Sequence, residues 1–80
     1  MKGKFAAVLK QTRECRSMTQ KQLSSLLGLH RSTYAYYETG KSKPSCEFVI
    51  KISAILEVDY KIFMEAIEED ITTIEQGGIE

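Results

Sequence analysis

The chain has 80 residues, 42% hydrophobic and 28% charged, which is the balance of one ordinary soluble globule and excludes a disordered tail or two domains. The formal net charge of +0 hides a split: residues 1–43 hold nine Lys/Arg against two acids, and residues 44–80 hold two Lys against nine acids, so a half of +7 that suits a polyanion precedes a half of −7 that does not. No run approaches the ~18 apolar residues of a membrane span, and Met1-Lys2-Gly3-Lys4-Phe5 leads into no apolar stretch of a signal peptide, so a cytoplasmic chain with no membrane partner is expected.

No apolar/polar alternation persists, and Pro44 and the glycines fall at plausible element ends, so about five short helices are predicted. The first spans about Lys4 to Arg16, with an apolar stripe of Phe5, Val8, Leu9 and then Thr12. The second starts at Thr19, where Thr19 and Gln22 have capping-box spacing and Met18 and Leu23 have staple spacing. Gly28 ends it, because a residue without Cβ takes the left-handed conformation cheaply. The third helix follows His30, with Leu29 and Tyr34 at staple positions and Gly40 as its C-cap. Lys41-Ser42-Lys43-Pro44 is a turn. Ser45 caps a fourth helix that buries Phe48, Val49, Ile52 and Leu56. Asp59 caps a fifth over about Tyr60 to Ile71, with Val58 and Phe63 as its staple.

Tyr60, Met64, Ile67, Ile71 and Ile74 recur at spacings of four, three, four and three, a heptad seam too short for an independent coiled coil. The seam either packs on the protomer's own core or meets its copy in a homodimer, for which Met64, Ile67, Ile71 and Ile74 are the candidates. Residues 1–67 read as one domain. Residues 68–80 read as an acidic extension, frayed at its end, in which Thr72 and Thr73 weaken the helix and leave room for extended pairing.

The informative unit is the second helix, a short turn containing Gly28, and the third helix. Such a turn sets two helices at a steep angle, so that one crosses a DNA backbone and the next enters the major groove. On a wheel of the third helix, Tyr34, Tyr37 and Glu38 share one face, which goes to the core. Arg31, Ser32, Ala35 and Tyr36 share the other, which is free to meet bases. An arginine fork fits O6 and N7 of guanine. Tyr36 can stack on a sugar or touch a thymine methyl. His30 is a poor cap by type, which leaves it open to a phosphate contact or a place flanking the bases.

Residues Leu9 to Phe63 resemble the phage-repressor and Cro family of helix-turn-helix regulators, also called the Xre family. The resemblance rests on Thr19-Gln20-x-x-Leu23-Ser24-x-x-Leu27-Gly28-Leu29, Arg31-Ser32-Thr33-Tyr34, Tyr37-Glu38-Thr39-Gly40-Lys41-x-x-Pro44-Ser45 and Leu56-x-Val58-Asp59. It implies an all-α bundle of five short helices, lambda-repressor-like, and a transcriptional regulator, expected as a repressor that binds a palindromic double-stranded operator as a dimer. It also implies that Gln20 grips a backbone phosphate, that Arg31, Ser32 and Tyr36 read bases with His30 flanking them, and that Thr39, Lys41 and Lys43 contact phosphate. Arg13 and Glu38 match a semi-buried structural ion pair. Ser24 stands where the family usually has alanine, and is tolerated if its hydroxyl finds a backbone carbonyl.

Cys15 and Cys46 read as reduced, partly buried thiols, and with His30 they are too few for a zinc site. With no Ser/His/Asp set and no phosphate-cradling glycine loop, no enzyme, cofactor or small-molecule ligand is expected. The competing reading is a protein-interaction module, or an antitoxin-like partner protein, on the same fold. It draws on the acidic half.

Overall fold

A computed structural model describes the backbone of residues 3–79 and the side chains of residues 3–72. Five helices follow one another: α1 (Lys4–Cys15), α2 (Gln20–Leu27), α3 (Arg31–Thr39), α4 (Cys46–Leu56) and α5 (Lys61–Ile79). No strand occurs among the described residues.

The helix ends follow local chemistry. The Gln22 amide donates to Thr19 Oγ1 at 3.0 Å, and the Thr19 amide donates to Gln22 Oε1 at 2.8 Å, a complete capping box. The Phe48 amide donates to Ser45 Oγ at 3.1 Å, and the Lys61 amide to Asp59 Oδ1 at 3.0 Å. Gly28 and Gly40 close α2 and α3 at φ of 71° and 82°. The left-handed cap of α4 is Glu57, at φ 56°, a position no glycine marks in the sequence. The Arg16 guanidinium donates to the Glu57 carbonyl at 2.9 Å and ties this corner to the end of α1.

All five helices contribute to one core of Phe5, Leu9, Leu23, Tyr34, Phe48, Val49, Ile52, Leu56, Phe63 and Ala66. Both members of each expected staple lie in or against it. Phe5 meets Phe63 at a centroid distance of 5.8 Å, and Tyr37 stacks on Phe48 at 3.9 Å. On α1 the buried ridge is Phe5, Leu9 and Arg13, four residues apart each time. A charged residue therefore occupies the third apolar position of a helical stripe, and its partner must be inside too. The Ser24 hydroxyl donates to the Lys21 carbonyl at 3.0 Å, which lets the family's usual alanine position bury a serine without an orphaned group.

The structure departs from expectation at two places. Both cysteines are exposed free thiols rather than partly buried ones. Cys15 lies off the Phe5–Leu9–Arg13 ridge, and Cys46 opens α4 at its solvent end. The second departure is α5, which does not stop near Ile71. Its backbone stays helical through Thr72 and Thr73 to Ile79, which excludes extended pairing there. Threonine costs a helix only a few tenths of a kcal/mol relative to its better formers.

The stretch expected as a separate acidic extension is also partly engaged. Asp70 on α5 accepts from the amides of Lys4 at 2.6 Å and Phe5 at 3.0 Å, so it caps α1 from 65 residues away. Gly3, the residue at the N-cap of α1, has no side chain to do this, and a Cβ there would meet the Asp70 carboxylate at 2.8 Å. Asp70→Ala is expected to cost about 1 kcal/mol, the usual value of a helix cap. Thermal unfolding checks this: the midpoint should fall by roughly 4–8 °C for a domain of this size. An unchanged midpoint would show that the contact contributes nothing.

Candidate nucleic-acid interface

The surface of interest is made by α2 and α3, and it is held from behind. Tyr34 and Glu38, one turn apart on the inner face of α3, are buried. Arg13 reaches them from α1: its Nε donates to Glu38 Oε2 at 2.6 Å and its Nη2 to Oε1 at 3.1 Å. Arg13 Nη1 donates to the Met18 carbonyl at 2.7 Å, in the turn before α2. The Tyr34 hydroxyl donates to the same carboxylate, and so does Gln20 Nε2 at 3.0 Å. One buried carboxylate thus collects donors from α1, α2 and α3.

The charge states follow from this. Burial by itself would raise the Glu38 carboxyl, but hydrogen bonds from Arg13, Tyr34 and Gln20, with the Arg13 charge, hold it below the ordinary carboxylate range. The hydrogen bond to Glu38 raises Arg13 against the cost of its burial. Burial, and then donation to Glu38, push the Tyr34 phenol well above its usual value. Within the fold the set is Arg13 cationic, Glu38 anionic and Tyr34 neutral.

With the inner face locked, the outer face of α3 is turned to solvent. His30, Arg31 and Ser32 are exposed, Ala35 is half-buried and Tyr36 is 46% exposed. His30 supplies the N-cap backbone of α3, but its imidazole makes no capping bond, so the cap residue itself does not satisfy the first amides of the helix. Arg31 Nη1 donates to Gln20 Oε1 at 3.3 Å. In the loop after α3, Lys41 and Lys43 are exposed, and Lys41 Nζ lies 5.6 Å from the centre of the Tyr36 ring. The Thr39 hydroxyl is exposed and donates back to the Tyr36 carbonyl at 3.2 Å.

The face therefore brings together a guanidinium, a hydroxyl, a methyl group and a phenol on one helix. That is a mixture of donors, acceptors and an apolar contact that suits base edges in a major groove ~12 Å wide. Three features go beyond what the sequence led one to expect. These are the Tyr34–Glu38 bond, the two internal partners of Gln20 and the approach of Lys41 to Tyr36. The first pairs residues at i and i+4 on the inner face and was open to spacing arguments. The other two depend on how α2 and the Gly40 turn fold back on α3.

The seam on α5 is divided. Met64 and Ile67 are half-buried against the protomer's own core, whereas Ile71 is 50% exposed. Tyr60 and Ile62 are exposed as well, and the side chain of Ile74 lies outside the described residues.

A family model described as helix-turn-helix matches residues 9–63, the stretch from mid α1 to the start of α5. An uncharacterized HTH-type transcriptional regulator of Bacillus subtilis (strain 168), YqaE, is 36% identical over 67 residues, covering 81% of this chain and 58% of the relative. The chain thus spans a little over half the length of that relative. The crystal structure of the restriction-modification controller protein C.AhdI from Aeromonas hydrophila matches with a TM-score of 0.68 at 28% identity, over 72% of this chain and 88% of that one. Five helices, two glycine-capped helices around a short turn and an ordered motif over more than half the chain agree with these similarities: the chain belongs to the helix-turn-helix family, in its Xre, lambda-repressor-like branch.

Proposed function

We propose that the chain is a transcriptional regulator that binds double-stranded DNA by placing α3 in the major groove, and that it works as a homodimer on a palindromic operator, as a repressor. The observation that carries this reading is the open row of His30, Arg31, Ser32, Ala35 and Tyr36, on the side of α3 opposite the buried Tyr34 and Glu38. Arg31, Ser32, Ala35 and Tyr36 meet base edges. Gln20, His30, Thr39, Lys41 and Lys43 contact phosphates, which set register and affinity but carry no sequence information. The similarity to a transcriptional regulator and to a controller protein supports the regulatory role. Of the seam on α5, Ile71 stays exposed, with Tyr60 and Ile62 exposed near the start of the helix, and these are the apolar side chains left to meet a second protomer. A two-fold dimer puts two copies of α3 about 34 Å apart, one DNA turn. Repression follows from occupying the operator and excluding polymerase.

The test is selection of bound duplexes from a random pool. The wild-type chain is expected to enrich an inverted repeat, and Arg31→Ala to lose a guanine preference at one symmetric pair of positions, roughly tenfold or more in discrimination. Recovery of no common sequence by the wild-type chain would overturn the DNA-reading function.

A further inference from the structure

The inner line of α5 changes chemistry along its length. Phe63 and Ala66 are buried apolar residues, and Asp70, one turn further on, is a half-buried carboxylate. Its two oxygens accept from the amides of Lys4 and Phe5, at 2.6 and 3.0 Å, at the positive end of α1. Phe63, about 10 Å back along α5, meets the ring of the same Phe5. The start of α1 thus holds α5 at two separated points. The apolar contact has no preferred direction. Two adjacent amides on one carboxylate do fix an orientation. Arg13 then ties α1 to Glu38 of α3. On the other side of Asp70 in sequence, Ile71 is 50% exposed on the seam. Asp70 therefore stands between the side chains left for pairing and the helix that faces the groove.

We infer that Asp70 is a positioning residue for operator spacing: by anchoring α5 to the first amides of α1, it fixes the angle between the helix that meets the second protomer and the unit that carries α3. This rests on the reading above, in which protomers pair through α5 on an inverted repeat. In a two-fold dimer that angle sets the separation of the two α3 helices, and so the half-site spacing that fits. One extra base pair moves the second half-site by ~3.4 Å and turns it by about 35°. A dimer with a fixed angle meets such a shift with strain, in itself or in the DNA. A dimer free to swing α5 accepts it, and loses the advantage of being set in advance for the right spacing.

The test titrates the full chain with the selected inverted repeat and with copies whose centre is one base pair longer or shorter. The wild type is expected to prefer its own spacing roughly tenfold, the size of a modest DNA distortion. Asp70→Ala should reduce that preference about fivefold, the ratio that matches one helix cap, and leave the base preferences within each half-site unchanged. Two further variants separate positioning from stability. Asp59→Ala removes the local cap of α5, whose Oδ1 accepts from the Lys61 amide, and touches nothing on α1. It should lower the thermal midpoint by a similar amount and keep the spacing preference. Gly3→Ser with Asp70→Ala gives α1 a cap of its own, in the space that the Asp70 carboxylate had filled. It should raise the midpoint again and leave the spacing preference lost.

The positioning role is overturned, with the dimer still standing, by a wild-type chain indifferent to spacing or by an unchanged profile in Asp70→Ala. It is equally overturned if Asp59→Ala relaxes the spacing as much, or if Gly3→Ser restores the preference in the Asp70→Ala background. Sedimentation of the wild-type complex checks the reading beneath it. One protomer per duplex would show that pairing itself fails, and the positioning role falls with it.

Discussion

Glu38→Ala is expected to remove roughly 3–5 kcal/mol of stability, the cost of breaking a buried ion pair by deleting one partner. The deletion leaves the Arg13 guanidinium inside the protein without its counter-charge. It also leaves the Tyr34 hydroxyl and the Gln20 amide without their shared acceptor. A small domain has about 5–15 kcal/mol in total, so the variant should be largely unfolded in mild denaturant. Urea unfolding measures this, and a loss below about 1 kcal/mol would show that the pair is not what joins α1 to α3. Replacing both partners by apolar residues, Arg13→Met with Glu38→Leu, should cost much less than the two single changes together, because no unpaired charge stays buried.

The same carboxylate predicts an acid response. The folded protein holds Glu38 below its ordinary range, so the fold favours the ionised form. That contribution is complete above the unfolded value, about 4.3, and disappears as pH falls through the lower folded value. Tyr34 has the opposite sign. Its folded value is raised, so its contribution is complete below about pH 10 and is lost as pH rises beyond that. Wild-type stability should therefore fall at both extremes. Glu38→Gln should flatten the acid limb.

Binding to DNA is expected to weaken by about 10³-fold between 50 and 200 mM salt if a dimer neutralises roughly six phosphates, since each released counterion adds ~0.9 to the logarithmic slope. Lys41 and Lys43, exposed in the loop after α3, are the cations best placed to do this. Replacing both by alanine removes two charges from each protomer, and so up to about four from a dimer. The slope should then drop by as much as ~3.6. The preferred sequence should change little, because phosphates carry no base identity. A flat salt response in the wild-type chain would favour a protein-interaction module on this fold. It is also the measurement that decides what the charge asymmetry is for. Nine of the eleven basic residues precede Pro44, whereas nine of the eleven acids follow it.

The legible parts of the fold are those whose physics is short-range. The capping box of Thr19 and Gln22, the Ser45 cap, and the left-handed glycines 28 and 40 each involve residues within four of one another. The apolar stripe of α4 needs only the helical period. The wheel of α3 separates Tyr34, Tyr37 and Glu38 from the solvent face for the same reason. Glu57 escaped because its left-handed conformation is imposed on a residue that does not prefer it. The Arg13–Glu38 pairing was anticipated only through family resemblance, since a separation of 25 residues carries no local signal.

From its order of residue types alone, this chain determines five helices, where most of them begin and end, and which side of α3 turns inward, because propensity, capping and periodicity act between near neighbours. Three matters were settled only when the helices packed: Asp70 closing the start of α1, Gln20 facing both Glu38 and Arg31, and the α5 seam splitting between the core and solvent. Each depends on atoms distant in sequence being brought within about 3–4 Å, and only the packed arrangement specifies such distances.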